Sequence, residues 1–264
     1  MSKFLAALLL LILFSPVAIS CDERLAKSFL ANLHWQTEDY PPYNYLDNSG
    51  DLVGIFSDTL ALIYERLDID IKVNDIPVVP WARLLKNTER YPDHAGFSMV
   101  TTTERAKKYK LVSLPFITKI SIMALSSKFK NVTTIEKTSL NNLDIAVVRG
   151  DIGQSLLNSH GILATQVKTI SAFSMLKMLL YERVDAIAYS EDVASFQFEK
   201  FDHQDHKIIP IYSLDDTSFT NFVFHKDTPT CVISLFEKTI MTLNEQGKLT
   251  PVWQKYLNND YVVE

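Results

Sequence analysis

Arg105 carries the clearest chemical signal in this sequence. Thr101 and Glu104 have the spacing of a helix capping box, which predicts that Arg105 lies in the first turn of a helix. The helix dipole disfavours a cation there, whereas free backbone N–H groups and a guanidinium fork both favour an anion such as a carboxylate. We interpret Arg105 as a binding charge, and an arginine on an exposed helix surface is the alternative.

Two large aromatic residues lie beside prolines, next to predicted turns. Tyr40 stands beside two prolines in a predicted loop, and Trp81 follows Pro80 at the start of a predicted helix. Large rigid rings give contact area at little cost in entropy, and they stack on planar or cationic groups. For Trp81, packing in the core is the competing interpretation.

A predicted strand-to-helix loop contains Arg149, Gly150 and Asp151. Gly150 permits a ligand to approach the backbone closely. Asp151 also has the position of an N-cap for the following helix, and capping alone would explain it.

The sequence has no motif of a catalytic or cofactor site. It contains no P-loop, no GxGxxG and no GxSxG. The run at 202–206 has metal-capable side chains, but it is more typical of a solvated turn. We therefore expect no enzyme activity, no cofactor and no bound metal.

The composition excludes several classes of protein. The 264 residues are 47% hydrophobic and 22% charged, which excludes a disordered chain. The 26 basic and 31 acidic residues give a net charge of -5, without a basic cluster. We therefore expect no binding to nucleic acid or to an anionic membrane.

Residues 1–20 are typical of a secretory signal peptide, which predicts export to the periplasm. Lys3 precedes an apolar run at 4–14 that is shorter than the roughly 20 residues needed to span a bilayer. Ala18-Ile19-Ser20 then precedes Cys21, which resembles a lipoprotein box. Cys21 is therefore either a lipid anchor or the disulfide partner of Cys231, the only other cysteine.

Strand-like and helix-like runs alternate along the rest of the chain, which predicts an α/β fold. We predict strands at 32–37, 69–73, 95–99, 144–148 and 184–188, and helices after Gly54, Pro80, Asp151 and Ser171 and across 231–243. Extended segments at 115–125 and 218–225 flank the middle of the chain. If both cross between two lobes, a cleft between the lobes is the usual place for a small ligand.

Six short segments follow one another in a characteristic order. They are WQTEDYPPYNY with GDLVG (35–54), PWAR (80–83), TTER (102–105), VVRG (147–150), RVDAIAY (183–189), and GKL with WQKY (247–256). In this order they resemble the periplasmic solute-binding proteins of the polar amino-acid class, over nearly all of the chain after the leader.

The resemblance implies a two-lobed α/β fold of the periplasmic-binding-protein type (type II-like), in which two crossover strands form a hinge. Lobe one would contain residues 21–116 and 220–264, and lobe two residues 117–219. The protein would be a monomer that captures a small carboxylate-bearing solute, an amino acid or a related compound, for an inner-membrane ABC permease. A ligand-sensing adaptor for a membrane receptor is one alternative, and a periplasmic dehydratase or lyase on the same fold is another.

The resemblance also assigns ligand contacts. Arg105 would pair with the ligand carboxylate, and the other contacts would come from Tyr40, Trp81, Ser98, Thr102, Gly150, Asp151 and Tyr189. Helix capping alone would explain Thr102.

One position departs from the amino-acid binders. These carry an aspartate for the ligand ammonium five residues after the equivalent of Asp185, and here that residue is Ser190, followed by Glu191. Either Glu191 takes this role through a one-residue shift, or Ser190 indicates a ligand without an α-ammonium group. The expectation of a carboxylate is unaffected.

Overall fold

The computed structural model describes residues 22–129, 135–199 and 206–257. The predicted signal peptide, Cys21 and most of the 202–206 run lie outside the described residues. Within the described ranges, no helix is both long enough and apolar enough to cross a membrane. Cys231, near the start of the last long helix, is disulfide-bonded.

The secondary structure alternates between strands and helices, as predicted. Within the described ranges the strands are β1 (His34–Gln36), β2 (Tyr45–Leu46), β3 (Leu52–Val53), β4 (His94–Val100), β5 (Tyr109–Leu125), β6 (Asp144–Val148), β7 (Thr165–Thr169), β8 (Ala186–Ser190) and β9 (Ile208–His225). The helices are α1 (Glu23–Ala31), α2 (Ile55–Leu67), α3 (Trp81–Arg90), α4 (Thr103–Lys108), α5 (Lys137–Leu140), α6 (Ile152–Ser159), α7 (Ala172–Leu180), α8 (Glu191–Glu199), α9 (Thr230–Glu245) and α10 (Thr250–Tyr256), with a 3₁₀ turn at Val73–Asp75.

Seven strands form one sheet in the order β1-β4-β9-β5-β8-β6-β7. The long strands β5 and β9 pair antiparallel at its centre. On one side β4 pairs with the end of β9, from Thr220 to Phe224, and on the other β8 pairs with the end of β5, from Ile120 to Met123. The fold is therefore two-lobed, with β5 and β9 as the two crossover strands. The boundaries predicted after residues 116 and 219 fall inside these strands and stay a prediction.

Trp35 of β1 organises a core to which both ends of the described chain contribute. Its ring contacts Phe97, Phe222, Phe224 and Phe236 at centroid distances of 5.5–6.1 Å. Its Nε1 donates to the Tyr64 hydroxyl (2.6 Å), which donates to the Leu30 carbonyl (2.8 Å). This buried chain fixes α1 and α2 to β1, so the loop after β1 has a rigid base.

Some details differ from the sequence predictions. The segment 69–73 is not a strand, and its residues Ile69 and Ile71 are half-buried against the core. The residues that follow it make an isolated β-bridge, between Thr37 and Val78. Strand β8 begins two residues later than predicted, and α1 and β7 were not predicted. The N-cap of α4 is Thr102 rather than Thr101, because Thr102 Oγ1 accepts from Arg105 N at 3.1 Å.

Helix α6 crosses β8 so closely that Gly153 has no room for a side chain. A Cβ at Gly153 would lie 1.9 Å from the carbonyl oxygen of Ala188. Because that oxygen belongs to the backbone of a central strand, only a shift of the helix or of the strand would relieve the clash.

We expect Gly153→Ala to lower the free energy of unfolding by about 1–3 kcal/mol, the usual cost of overpacking. This loss would occur although alanine is favoured over glycine within helices by about 1 kcal/mol. Urea denaturation measures the change. Ser155→Ala, on the exposed side of α6, is the control and should change stability by no more than about 0.5 kcal/mol. A Gly153→Ala protein as stable as the wild type would contradict this packing.

Candidate functional site

A cavity of about 290 Å³ lies between residues that precede β5 and residues that follow it. Its lining comprises Glu38, Asp39, Val78, Val79, Pro80 and Trp81 on one side, and Val148, Asp151, Ile170, Ser171, Ala172 and Tyr189 on the other. Three helices begin here, because Trp81 opens α3, Asp151 caps α6 and Ser171 caps α7. Helix N-termini favour negatively charged ligand groups.

The cavity also lies where several strands end. Glu38 follows β1, Asp151 follows β6, and Ser171 follows β7; β6 is parallel to β7, and β1 is parallel to β4. In α/β sheets, ligands bind in the crevice outside the carboxyl ends of the strands. This rule explains why loops distant in sequence supply one site.

Arg105 lies beside the cavity, where it contacts the lining residues Trp81 and Asp151, and it links the two sides. Its Nη1 donates to the Val100 carbonyl at 2.9 Å, and its Nη2 donates to the Gly150 carbonyl at 3.4 Å. Nη2 also lies 3.8 Å from Asp151 Oδ1, and the guanidinium carbon lies 5.3 Å from the centre of the Trp81 ring. The guanidinium thus has an aromatic face on one side and a carboxylate beside it.

Two acidic side chains in the lining are electrostatically coupled. Burial raises the pKa of Glu38 well above its ordinary value, and the charge of Asp151 raises it further, while Arg105 lowers it. Burial likewise raises the pKa of Asp151 against the opposing effects of Arg105 and of the Ile152 N–H. The site therefore contains more acid than its single arginine neutralises. In the part of the chain that the structure describes, no three His, Cys, Asp or Glu side chains are placed to hold a metal.

Behind the cavity lies a buried network of hydroxyl groups. The Tyr40 hydroxyl is hydrogen-bonded to Ser190 and Tyr189, and Ser190 Oγ lies 3.4 Å from Thr118 Oγ1. Tyr43 stacks on Tyr40 with ring centroids 5.5 Å apart. Burial raises the pKa of all three tyrosines well above the ordinary value, so they remain hydrogen-bond donors at neutral pH.

The hydroxyl network ends at a buried carboxylate. The Tyr43 hydroxyl donates to Asp192 Oδ2 at 2.8 Å and lies 3.2 Å from Thr118 Oγ1. Asp192 lies in α8, after β5, and Tyr43 precedes β5, so this bond also joins the two sides of the molecule.

The structure brings together some of the residues predicted from sequence. Trp81, Asp151 and Tyr189 line the cavity, Arg105 and Gly150 contact each other beside Asp151, and Tyr40 packs behind Tyr189 with centroids 5.7 Å apart. Asp151 also serves as the N-cap of α6, since its Oδ1 accepts from Ile152 N at 2.7 Å. The Asp151 side chain therefore both lines the cavity and caps α6.

Four other predicted residues have partners outside the cavity lining. The Ser98 hydroxyl donates to Asn44 Oδ1, and Thr102 caps α4. Glu191 Oε1 accepts from Ser121 Oγ, and Ser190 is fully buried in the hydroxyl network. Ser98 has a left-handed backbone (φ 65°) at a bulge in β4, a conformation that is uncommon outside glycine.

The sequence reasoning missed Glu38, Asp39 and Ser171 as lining residues. A signal for Glu38 was available, because a carboxylate directly after the strand predicted at 32–37 fits the rule for α/β sheets. Ser171 was recognised only as a helix cap, which it is.

Comparison with known proteins identifies one family. The profile of the bacterial extracellular solute-binding proteins, family 3, matches residues 35–259. No curated protein matches the chain significantly in sequence.

Several solved structures share the fold. An amino acid ABC transporter substrate-binding protein from Streptococcus pneumoniae bound to L-arginine is 17% identical, with a TM-score of 0.74 over 91% of this chain and 100% of that one. A histidine kinase sensor domain with similarity to periplasmic binding proteins is 14% identical, with a TM-score of 0.75 over 86% and 96%. The ancestral amino-acid-binding protein AncCDT-1, a precursor of cyclohexadienyl dehydratase, is 15% identical, with a TM-score of 0.71 over 88% and 98%.

The raised pKa of Glu38 predicts that this site lowers the free energy of unfolding in a pH-dependent way. The folded protein holds a proton on Glu38 at pH values where the unfolded chain has lost it, so stability falls as pH rises through that range. We expect Glu38→Gln to raise the free energy of unfolding at pH 8 by about 1 kcal/mol or more. At pH 4, where the folded protein holds Glu38 protonated, the change should be much smaller. Urea denaturation at both pH values measures the difference.

Glu65→Gln, on the exposed side of α2, is the matched control and should behave alike at both pH values. A Glu38→Gln protein that is less stable at pH 8, or equally changed at pH 4, would show that the burial of Glu38 carries no such cost.

Proposed function

Because the chain belongs to the bacterial extracellular solute-binding proteins, family 3, we propose that it captures a small carboxylate-bearing solute, an amino acid or a related compound, for delivery to a transporter. The observation that carries this proposal is Arg105, whose side chain is 11% exposed at the edge of a cavity bounded by both sides of the molecule. A guanidinium in such a place binds a carboxylate through two parallel hydrogen bonds.

The size and polarity of the cavity support a single small solute. Its volume of about 290 Å³ is at the lower end of the roughly 300–1,000 Å³ usual for ligand pockets. Trp81 lines it and supplies a large rigid ring as contact surface for the solute.

The acids of the lining support a ligand that also carries a positive charge. Glu38 lines the cavity, whereas Glu191 accepts a hydrogen bond from Ser121 outside the lining. We therefore assign the ligand ammonium to Glu38 rather than to Glu191 or Ser190. An amino acid has one carboxylate for Arg105 and one ammonium for Glu38, and the S. pneumoniae protein of the same fold binds L-arginine.

We propose that the protein works in the periplasm and delivers its ligand to an inner-membrane ABC permease. The family is extracellular, and residues 1–20 have the pattern of a signal peptide. Of the two roles left open for Cys21, the disulfide is favoured, because Cys231 is disulfide-bonded and the chain has no third cysteine.

Sensing is the second candidate function. It is supported by the likeness in fold to a histidine kinase sensor domain, and it would use the same cleft with a membrane receptor in place of the permease.

We propose no catalytic role. The fold neighbour AncCDT-1 is described as the precursor of a dehydratase. A dehydratase would need a general acid in the cleft, and Glu191 is instead hydrogen-bonded to Ser121 outside the cavity lining.

Arg105→Ala tests the proposed function. The twenty amino acids are titrated by calorimetry into the wild type, and the tightest ligand into the variant. We expect a loss of affinity of about tenfold to 150-fold, the range for a charged hydrogen bond of 1.5–3 kcal/mol. Thermal unfolding checks that the variant is folded.

Arg149→Ala removes the same charge from an exposed position next to Gly150, and it should leave the affinity nearly unchanged. If Arg105→Ala binds as tightly as the wild type, or if both variants lose affinity equally, Arg105 does not bind the ligand.

A further inference from the structure

The partner of Arg105 inside the protein is itself a carboxylate. Arg105 and Asp151 are 11% and 14% exposed, with 3.8 Å between Nη2 and Oδ1. Asp151 is held in place because Oδ1 also accepts from Ile152 N as the N-cap of α6. An anionic side chain thus already lies beside the guanidinium that a ligand carboxylate would need.

Among the residues that the structure describes, Arg105 is the one cation paired with Asp151. Arg105 of α4 is the basic group that acts on it. The acidic groups coupled to it are Glu38, in the loop after β1, and the hydroxyls of Tyr40 and Tyr189, with Asp39 beside Glu38. A ligand carboxylate at Arg105 would bring a third carboxyl group to one guanidinium in a buried site. Like charges at such distances cannot all remain ionised, and one group takes up a proton.

We propose that Asp151 is the resident counter-ion of Arg105 and a specificity-determining residue of the cleft, which a ligand carboxylate replaces at the guanidinium with uptake of one proton. The inference rests on the proposed function and adds to it the condition under which the site accepts a carboxylate. The proton comes from the solvent. Because Oδ1 continues to accept from Ile152 N, the proton is held on Oδ2 of Asp151.

The sign of the resulting pH dependence follows from linkage. Asp151 loses its cation and gains an anionic neighbour when the ligand binds, so the bound state holds a proton that the free state has lost. The Asp151 contribution to affinity therefore increases as pH falls through the interval between the two titrations, by up to about tenfold per pH unit. Above and below that interval affinity is independent of Asp151. A zwitterionic ligand also supplies an ammonium group for Glu38, which ionises and releases the proton that it holds in the free protein, so the proton of Asp151 is counted as the difference between the wild type and a variant without the Asp151 carboxyl group.

The experiment uses L-glutamine and L-arginine as probes, because their charged groups keep one protonation state between pH 5.5 and 8. Calorimetry at four pH values, each in two buffers of different ionisation enthalpy, gives Kd and the number of protons taken up. Within the interval we expect the wild type to take up about one proton more than a variant without the Asp151 carboxyl group, and its affinity relative to that variant to rise as pH falls.

Asp151→Asn is the decisive variant, because asparagine remains a good N-cap for α6 but carries no charge. We expect its affinity to exceed that of the wild type at pH 8, this advantage to disappear as pH falls through the interval, and its proton uptake to be lower than that of the wild type by about one. Glu104→Gln removes one negative charge from an exposed position on α4 next to Arg105, and it should keep the pH profile of the wild type.

Two results would overturn the inference while leaving the proposed function intact. One is binding with the same pH dependence in the wild type and in Asp151→Asn. The other is weaker binding by Asp151→Asn at pH 8, which would make Asp151 a direct ligand contact. If no variant, the wild type included, binds any of the twenty amino acids, the proposed function fails, and this inference fails with it.

A direct measurement follows the proton. The wild type is labelled with ¹³C at the aspartate carboxyl groups, and the Asp151 signal is identified by its loss in Asp151→Asn. We expect the pKa of Asp151 to be higher with saturating probe than without it. An equal pKa in the two states would refute the replacement of Asp151 by the ligand.

Discussion

The pairing of β5 with β9 is the interaction on which the rest of the structure depends. These strands run through the whole sheet, with Tyr109 opposite His225 at one end and Leu125 opposite Ile208 at the other. Their register shifts between Ser113 and Ile117. On one side of this shift β4 pairs with β9, and on the other side β8 pairs with β5. The loops after β1 and β4 are thereby set against those after β6 and β7, and every charged group of the cavity lies on one of these loops or on α4. The same shift in register supports a hinge at the middle of the pair.

The charges of the cavity oppose the stability of the fold. Burying a carboxyl group disfavours its charged form, and one guanidinium compensates for only one of the two acids that lie beside it. Such groups are more typical of binding sites than of cores, where apolar side chains of similar size would be more stable. Trp81, Val148 and Tyr189 surround these charges with low-polarity surface, which strengthens each interaction that a ligand makes there.

The sequence correctly predicted those helices and caps whose residue pattern is compatible with only one local structure. The apolar faces of α2 and α9 and the caps of α6 and α7 are local signals, and the structure has them at the predicted places. The alternation of Ile69, Ile71 and Val73 failed as a strand signal because a half-buried loop shows the same pattern. Glu38 was missed for a different reason: its role depends on which strands are neighbours, and spacing along the chain does not contain that information.

The buried hydroxyl network gives a physical account of the departure at Ser190. The carboxylate nearest to Ser190 in the network, Asp192, accepts from Tyr43 and joins α8 to the chain before β5, so it serves the contact between the two sides. The acid that we propose for a ligand ammonium is Glu38, which lies before β5 together with Arg105. In the proposed scheme the ligand is therefore held at both ends by residues of one side, and Asp151 is the group of the other side that it displaces. In the structure the contact of Arg105 with Asp151 joins the two sides, and in the proposed scheme a bound ligand takes the place of that contact.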